Sequence, residues 1–217
     1  MDLTVPFGEL ITGGIDVVSQ SLGLPVMIVL FILVIVTVVL IGMVISEYTL
    51  IKKVPVSVIR DLIYNISNAD SLTTLVYVIH NAEIPESQKE VLEEIAHSES
   101  LTKLSREALA RKLVENEEEK TEKTLQKTDI ITRIGPTLGL MGTLIPLGPG
   151  LAALGAGDIV TLAESLTVAF DTTIVGIGSG AIAYTISKIR RSWYEHYLSD
   201  LDALTDALLD KMEDFDG

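Results

Sequence analysis

Asp171 is the only charged residue between Ser165 and Ser187, in the run SLTVAFDTTIVGIGSGAIAYTIS. The run is long and apolar enough to cross a bilayer. A carboxylate held at that depth costs at least ~2.5 kcal/mol, so a helix that served only as an anchor would not carry one. The chemistry open to it is reversible protonation, which passes a proton along without leaving a permanent charge in lipid. At helical spacing Glu164, Val168, Asp171 and Val175 fall on one face, with Thr167 beside them. Ser165, Thr172 and Ser179 form a neighbouring flank. A partly polar stripe on a membrane helix is expected to face a pore or a partner. The hydroxyls of Thr167, Thr172 and Thr173 could relay protons or coordinate an ion.

The element that holds this stripe must be one of several spans. Of the 217 residues, 48% are hydrophobic and 21% charged, with mean hydropathy +0.44. Both figures hold only if the two kinds of residue are segregated. Val26–Ile45 contains no charge and covers roughly 30 Å as a helix, the thickness of a bilayer core. No Lys or Arg precedes it and no small-residue cleavage site follows, so a retained span is expected rather than a signal peptide. Two further apolar segments, near Ile134–Leu154 and Val160–Ser187, are joined by a connection short enough for a hairpin. The expected organisation is an outward lead-in over residues 1–24, spans over 25–46, 131–154 and 160–188, a turn at 155–159, a helical section over 47–130 and a C-terminal helix over 189–217. The fold class is therefore an all-α membrane protein, with three transmembrane helices and long helices projecting into a cytoplasmic helical bundle.

Charge orients this arrangement. All sixteen Lys and Arg lie between Lys52 and Arg133 or after the third span, at Lys188, Arg190, Arg191 and Lys211. The positive-inside rule places both segments in the cytoplasm of a plasma (inner) membrane protein, with the N-terminus outside. Trp193, Tyr194 and Tyr197 are expected in an interfacial aromatic belt. A net charge of −14 argues against nucleic acid as a partner. With no cysteine, disulfides and thiolate metal sites are excluded.

The section over 47–130 reads as helical throughout. Apolar positions recur at helical spacing from Val58 to Ile79, and Pro85 with Glu86 starts a new helix. Between Ser105 and Ile134 there is no Gly or Pro, so one long helix should run directly into the second span. Glu94 and His97 have the spacing of a di-iron ligand pair, but a single copy cannot build that site, and no metal or cofactor is expected. Gly176, Gly178 and Gly180 lack the preceding strand of a nucleotide-binding loop. Gly135, Gly139 and Gly142, with Gly176 and Gly180, read instead as close-packing positions. Pro136, Pro146 and Pro149 would each free a carbonyl, which Thr137 and Thr143 could re-satisfy. Glu164 and Asp171 are about 10 Å apart along a helix, too far for the shared proton of an acid dyad, so no enzyme activity is expected.

Two of these segments resemble a known family. Gly139-Leu140-Met141-Gly142-Thr143, preceded by Pro136, is similar to the Pro…Gly-Leu-Leu-Gly-Thr signature of MotA/TolQ/ExbB proton-channel proteins. Ala169-Phe170-Asp171-Thr172-Thr173-Ile174-Val175-Gly176 resembles that family's Ala-Leu/Phe-x-x-Thr-x-x-Gly motif. The resemblance covers roughly residues 130–190. It implies the pore-forming subunit of a proton-driven motor, a pentamer around a dimer of single-span TolR/ExbD-like or MotB-like partners. Thr143 and Thr173 correspond to its pore-lining threonines. The position of the glutamate in the TolQ and ExbB branch is Val168 here, which leaves Asp171, one turn further on, as the candidate replacement. Asp171 is expected beside Thr173 and facing the Gly-Thr motif of the second span. The run Pro146–Gly150 departs from the family pattern, and the outer end of the second span is expected to be broken there. A sodium-driven version of the same motor and a non-conducting oligomeric scaffold are the alternatives.

Overall fold

The computed structural model describes the backbone of residues 6–50 and 54–216. The first residues of the expected lead-in, and Lys52 and Lys53, lie outside the described residues. Every described element is helical, with no strand. The helices are α1 (Pro6–Leu50), α2 (Val56–Ser67), α3 (Leu72–His80), α4 (Glu86–Ala96), α5 (Lys103–Gly155) and α6 (Ile159–Asp216). Three of them, α1, α5 and α6, are long and apolar enough to cross a membrane. Only 17–28% of their most apolar windows is buried within the chain. Apolar helices left this bare need lipid or further protein around them.

The chain divides into two compact units. The first, the membrane unit, comprises Met1–Met43 and Lys127–Ser187. In it α1 turns one stripe inward: Val26, Leu30, Leu33, Thr37 and Leu40 are buried, at the spacing of a coiled-coil seam. Phe31, Ile32, Ile35 and Val38 on the remaining surface are exposed. The Thr37 hydroxyl donates to the Leu33 carbonyl and so meets no unpaired partner. The expected boundary between the lead-in and the first span falls inside one helix. α1 passes without interruption through Pro25.

Nor is the second span broken at its outer end. α5 runs through Pro136, Pro146 and Pro149 to Gly155, as membrane helices can when small local adjustments take up the freed carbonyls. The threonines do not serve those carbonyls. Thr137 donates to Arg133 O, and Thr143 to Leu140 O at 2.7 Å, whereas prolines at 136, 146 and 149 would free Thr132, Gly142 and Ile145.

The second unit comprises Val44–Gln126 and Lys188–Gly217. The apolar run from Val56 to His80 is split into α2 and α3, because Asn68 caps one helix and Ser71 the next. Asn68 Nδ2 donates to Tyr64 O, and Ser71 Oγ accepts from Thr74 N. The amphipathic faces of α2, α3 and α4 close on the α5 and α6 segments of this unit, with Ile66, Leu75, Ile79, Leu92, Leu204 and Leu208 fully buried. Leu92→Ala is expected to lower stability by ~3 kcal/mol, read as a fall in melting temperature of the full chain in detergent. An unchanged melting temperature would show that this core does not govern unfolding.

The same unit holds two buried polar anchors. Arg190, 1% exposed, donates Nε and Nη2 to Glu47 at 2.8 and 2.9 Å. Tyr197 donates to Glu117 Oε2 at 3.0 Å and is bonded to Ser87 Oγ at 2.8 Å, while Gln88 Nε2 reaches the Tyr197 carbonyl. These bonds tie Tyr197 to α4 and α5 within this unit. Along the exposed face of α5, Glu119 and Lys123 form an i,i+4 ion pair at 2.8 Å.

Candidate ion-path site on the membrane hairpin

The site is built on the pairing of α5 with α6, and glycine decides how closely they approach. A Cβ placed on Gly176 would lie 2.6 Å from Gly135 O and from the Gly139 Cα. One on Gly142 would lie 2.6 Å from Thr172 Cβ, one on Gly150 2.8 Å from Ser165 Cβ, and one on Gly180 2.7 Å from Pro136 Cδ. Backbone meets backbone where Gly135 and Gly139 pass Gly176, and at the other three glycines a side chain sits directly on the opposing helix. The structure brings Gly135, Gly139, Gly142, Gly176 and Gly180 together in one seam, as small residues allow.

This seam fixes where the polar residues of α6 point. Thr172 faces α5 and packs on Gly142. Successive helix residues are about 100° apart, so Asp171 turns to one flank of the seam and Thr173 to the other. The expected arrangement, with Asp171 beside Thr173 and facing the Gly-Thr motif, is corrected: Thr172 occupies that place. Asp171 is exposed on the surface of the hairpin, as are Glu164 and Thr167. Within the described chain Asp171 accepts no hydrogen bond and forms no ion pair. Thr143 and Thr173 are half-buried, and each sits one residue beyond the Gly142–Thr172 contact, so the two share a level in the membrane.

The hydroxyl protons at this level are spoken for. Thr143 donates to Leu140 O, Thr167 to Ala163 O, Thr172 to Val168 O and Ala169 O, and Thr173 to Ala169 O. Each oxygen keeps acceptor capacity. The threonines can thus receive a proton donor or ligate a cation while remaining bonded to their own helix. Unlike these hydroxyls, the carboxyls of Asp171 and, further out on its stripe, Glu164 can take up a proton and release it.

Two features of the hairpin escape sequence reasoning. Ser187, 5% exposed, donates to Asp129 Oδ1 at 2.5 Å and ties α6 to α5. The partners are far apart in the chain, and neither carries a local signal. At the connecting turn Gly157 adopts a positive φ of 83°, and Asp158 caps α6 by accepting from Thr161 N and Thr161 Oγ1. The Thr161 hydroxyl, and then its backbone N–H, hold the Asp158 carboxyl below its usual range. Among the described residues no three His, Asp or Glu side chains converge as a metal site.

The family model of the MotA/TolQ/ExbB proton channel family matches residues 80–203. The chain belongs to this family. A search of the curated proteins gives no match. The MotA/TolQ/ExbB match takes in α4, the whole of α5 and most of α6, hence the glycine seam and all six candidate ion-path residues. α1 lies outside it, and its standing as a span rests on its own hydropathy of 3.5 over the most apolar window. MotA/TolQ/ExbB proteins are channel and motor subunits that act in complexes with single-span partners. That makes the chain a membrane protein of proton-channel type, not a member of an enzyme family.

Proposed function

We propose that the chain is the pore-forming subunit of a motor driven by the proton-motive force. Protons pass along the Asp171 flank of the α5–α6 hairpin, next to a single-span partner, and the movement they drive energises transport or envelope work. Asp171 is the exchange site. Glu164 and Thr167 lie on its stripe toward the outer end of the span, Thr143 and Thr172 carry oxygens at the level of the seam, and Thr173 presents its oxygen on the opposite flank, toward a neighbouring subunit. The assembly is a homo-oligomer, a pentamer in the manner of the family, in the plasma (inner) membrane. Its N-terminus faces outward, as the placement of all sixteen Lys and Arg supports.

The observation that carries the reading is the exposed, unbonded carboxylate of Asp171 on one side of a hairpin whose inner side is closed by backbone contact. Tight glycine packing leaves no room for an ion between α5 and α6 of one chain, so the path belongs on the outside of the hairpin. A carboxylate facing lipid alone would be expensive. Facing a neighbouring subunit or the partner helix, it is sheltered and can be used.

The test is proton flux into vesicles that contain the chain with its partner. Asp171→Asn is expected to cut the flux ~100-fold, the usual scale for loss of a proton-transferring side chain, with oligomer size unchanged. Thr173→Ala should give a smaller loss. Wild-type flux from both variants sinks the proposal and leaves the scaffold reading, whereas flux that requires sodium points to the sodium-driven version.

A further inference from the structure

The second unit contains a cavity of about 690 Å³ that the ion path does not use. Its aromatic lining comes from Trp193, Tyr194 and Tyr197 of α6. Glu117 of α5, and Glu83 and Glu86 from the α3–α4 connection and the start of α4, supply carboxylates. Lys89 is the only basic residue in the lining, and it is paired with Glu86 at 3.5 Å. The lining is therefore acidic and rich in ring faces.

Glu117 decides what such a cavity takes. Its side chain is 8% exposed, an unusual setting for a carboxylate in the middle of a polar helix. One oxygen accepts from Tyr197, whose phenol burial pushes well above its usual range and keeps protonated. The other faces Lys120 Nζ at 2.5 Å, but that lysine is 61% exposed. Its ammonium is bonded to Glu117 and open to solvent on its other side, so an incoming cation would compete with it for that oxygen. A planar cation entering between the rings would meet the freed carboxylate oxygen. Arginine matches both demands, because its guanidinium stacks on aromatic faces and donates to carboxylates in a fork.

The position along the chain indicates where that arginine comes from. Trp193 follows Lys188, the expected end of the third span, by five residues, and its ring packs at 6.0 Å from Tyr48, three residues past the apolar run of α1. Chains that cross a membrane once carry an excess of Lys and Arg just inside it. We propose that this cavity receives an arginine side chain from the basic segment flanking the partner's single span, laid against its aromatic lining and paired with Glu117. This inference rests on the motor reading for the existence of the partner, but its site is separate from the ion path.

Trp193 is the only tryptophan in the chain, so its fluorescence reports on the cavity directly. The full chain in lipid nanodiscs would be titrated with an acetylated Ala-Arg-Ala-Arg-Ala amide and with the same peptide carrying glutamate for arginine. A saturable change in Trp193 emission is expected with the first and none with the second. Glu117→Gln, which keeps the Tyr197 bond and removes the charge, should weaken binding ~10-fold. The exposed Glu86→Gln, which spares folding, should weaken it ~3-fold. No saturable change, equal responses to the two peptides, or unaltered affinity in both variants would overturn the proposal. Choline competing as strongly as the arginine peptide would also overturn it, in favour of a lipid headgroup. Asp171→Asn should leave peptide binding intact. Lost flux with retained binding in the wild type therefore counts against the channel alone, and lost binding with retained flux against this site alone.

Discussion

Gly176→Ala should separate the second and third spans and destabilise the membrane unit by ~3 kcal/mol. The added methyl would meet Gly135 O, the Gly139 Cα and Gly139 N, all within 2.7 Å. These are backbone atoms, which cannot swing aside as a side chain can, so the helices themselves must part. Separation gives up the dispersion contacts that hold membrane helices together in the absence of a hydrophobic driving force. Gly178→Ala is the control, because a Cβ there meets nothing within 4 Å. It should stay within ~0.5 kcal/mol of wild type. Unfolding in detergent, followed by the thermal melt of the full chain, reads both. Equal melting temperatures for the two variants would show that the seam is not a contact of backbones.

Glu47→Ala should cost ~3 kcal/mol, and the reason is the residue left behind. Arg190 is 1% exposed and spends both Nε and Nη2 on the Glu47 carboxylate. Removing the acid takes two charge-assisted hydrogen bonds from a buried guanidinium, which cannot discharge itself as a lysine could. Glu47 is 27% exposed on its side chain, which puts the loss at the lower end of the range for buried pairs. Replacing both residues, Glu47→Leu with Arg190→Met, should recover most of the stability, since no charge is then left unpaired. Thermal melts of the single and double variants distinguish the cases. A double variant no better than Glu47→Ala would mean that the pair contributes more than the cost of its own burial.

How far the sequence reveals this molecule varies along the chain for physical reasons. The three long helices are legible because lipid demands uninterrupted apolar stretches, and α1 has nothing else in its centre. The glycines are legible as packing residues because Gly at i and i+4 has few other uses in a membrane helix. The facing of Asp171 is not, because a helical wheel shows which residues share a stripe without showing which stripe meets the neighbour. Glu164, Val168 and Asp171 do share one. Thr172, on the next flank, is the residue that meets Gly142. The prolines at 146 and 149 mislead in the other direction: in water they would end a helix, whereas α5 continues through both. The division at Asn68–Ser71 turns on two side-chain caps that compete with an apolar periodicity running across them. The Ser187–Asp129 and Arg190–Glu47 bonds join distant positions, and nothing local announces them.

The glycine seam also bears on how the protein reaches its membrane. The most apolar window of α6 has a mean hydropathy of 1.5, against 3.5 for α1, and α6 carries Asp171 as well. Alone it would partition into lipid reluctantly. α5 and α6 are joined by a tight turn, and their smooth faces fit before any other chain is present. Entering together, they cover Thr172 and Ser179 against one another from the start. Only the acid flank then remains to be sheltered.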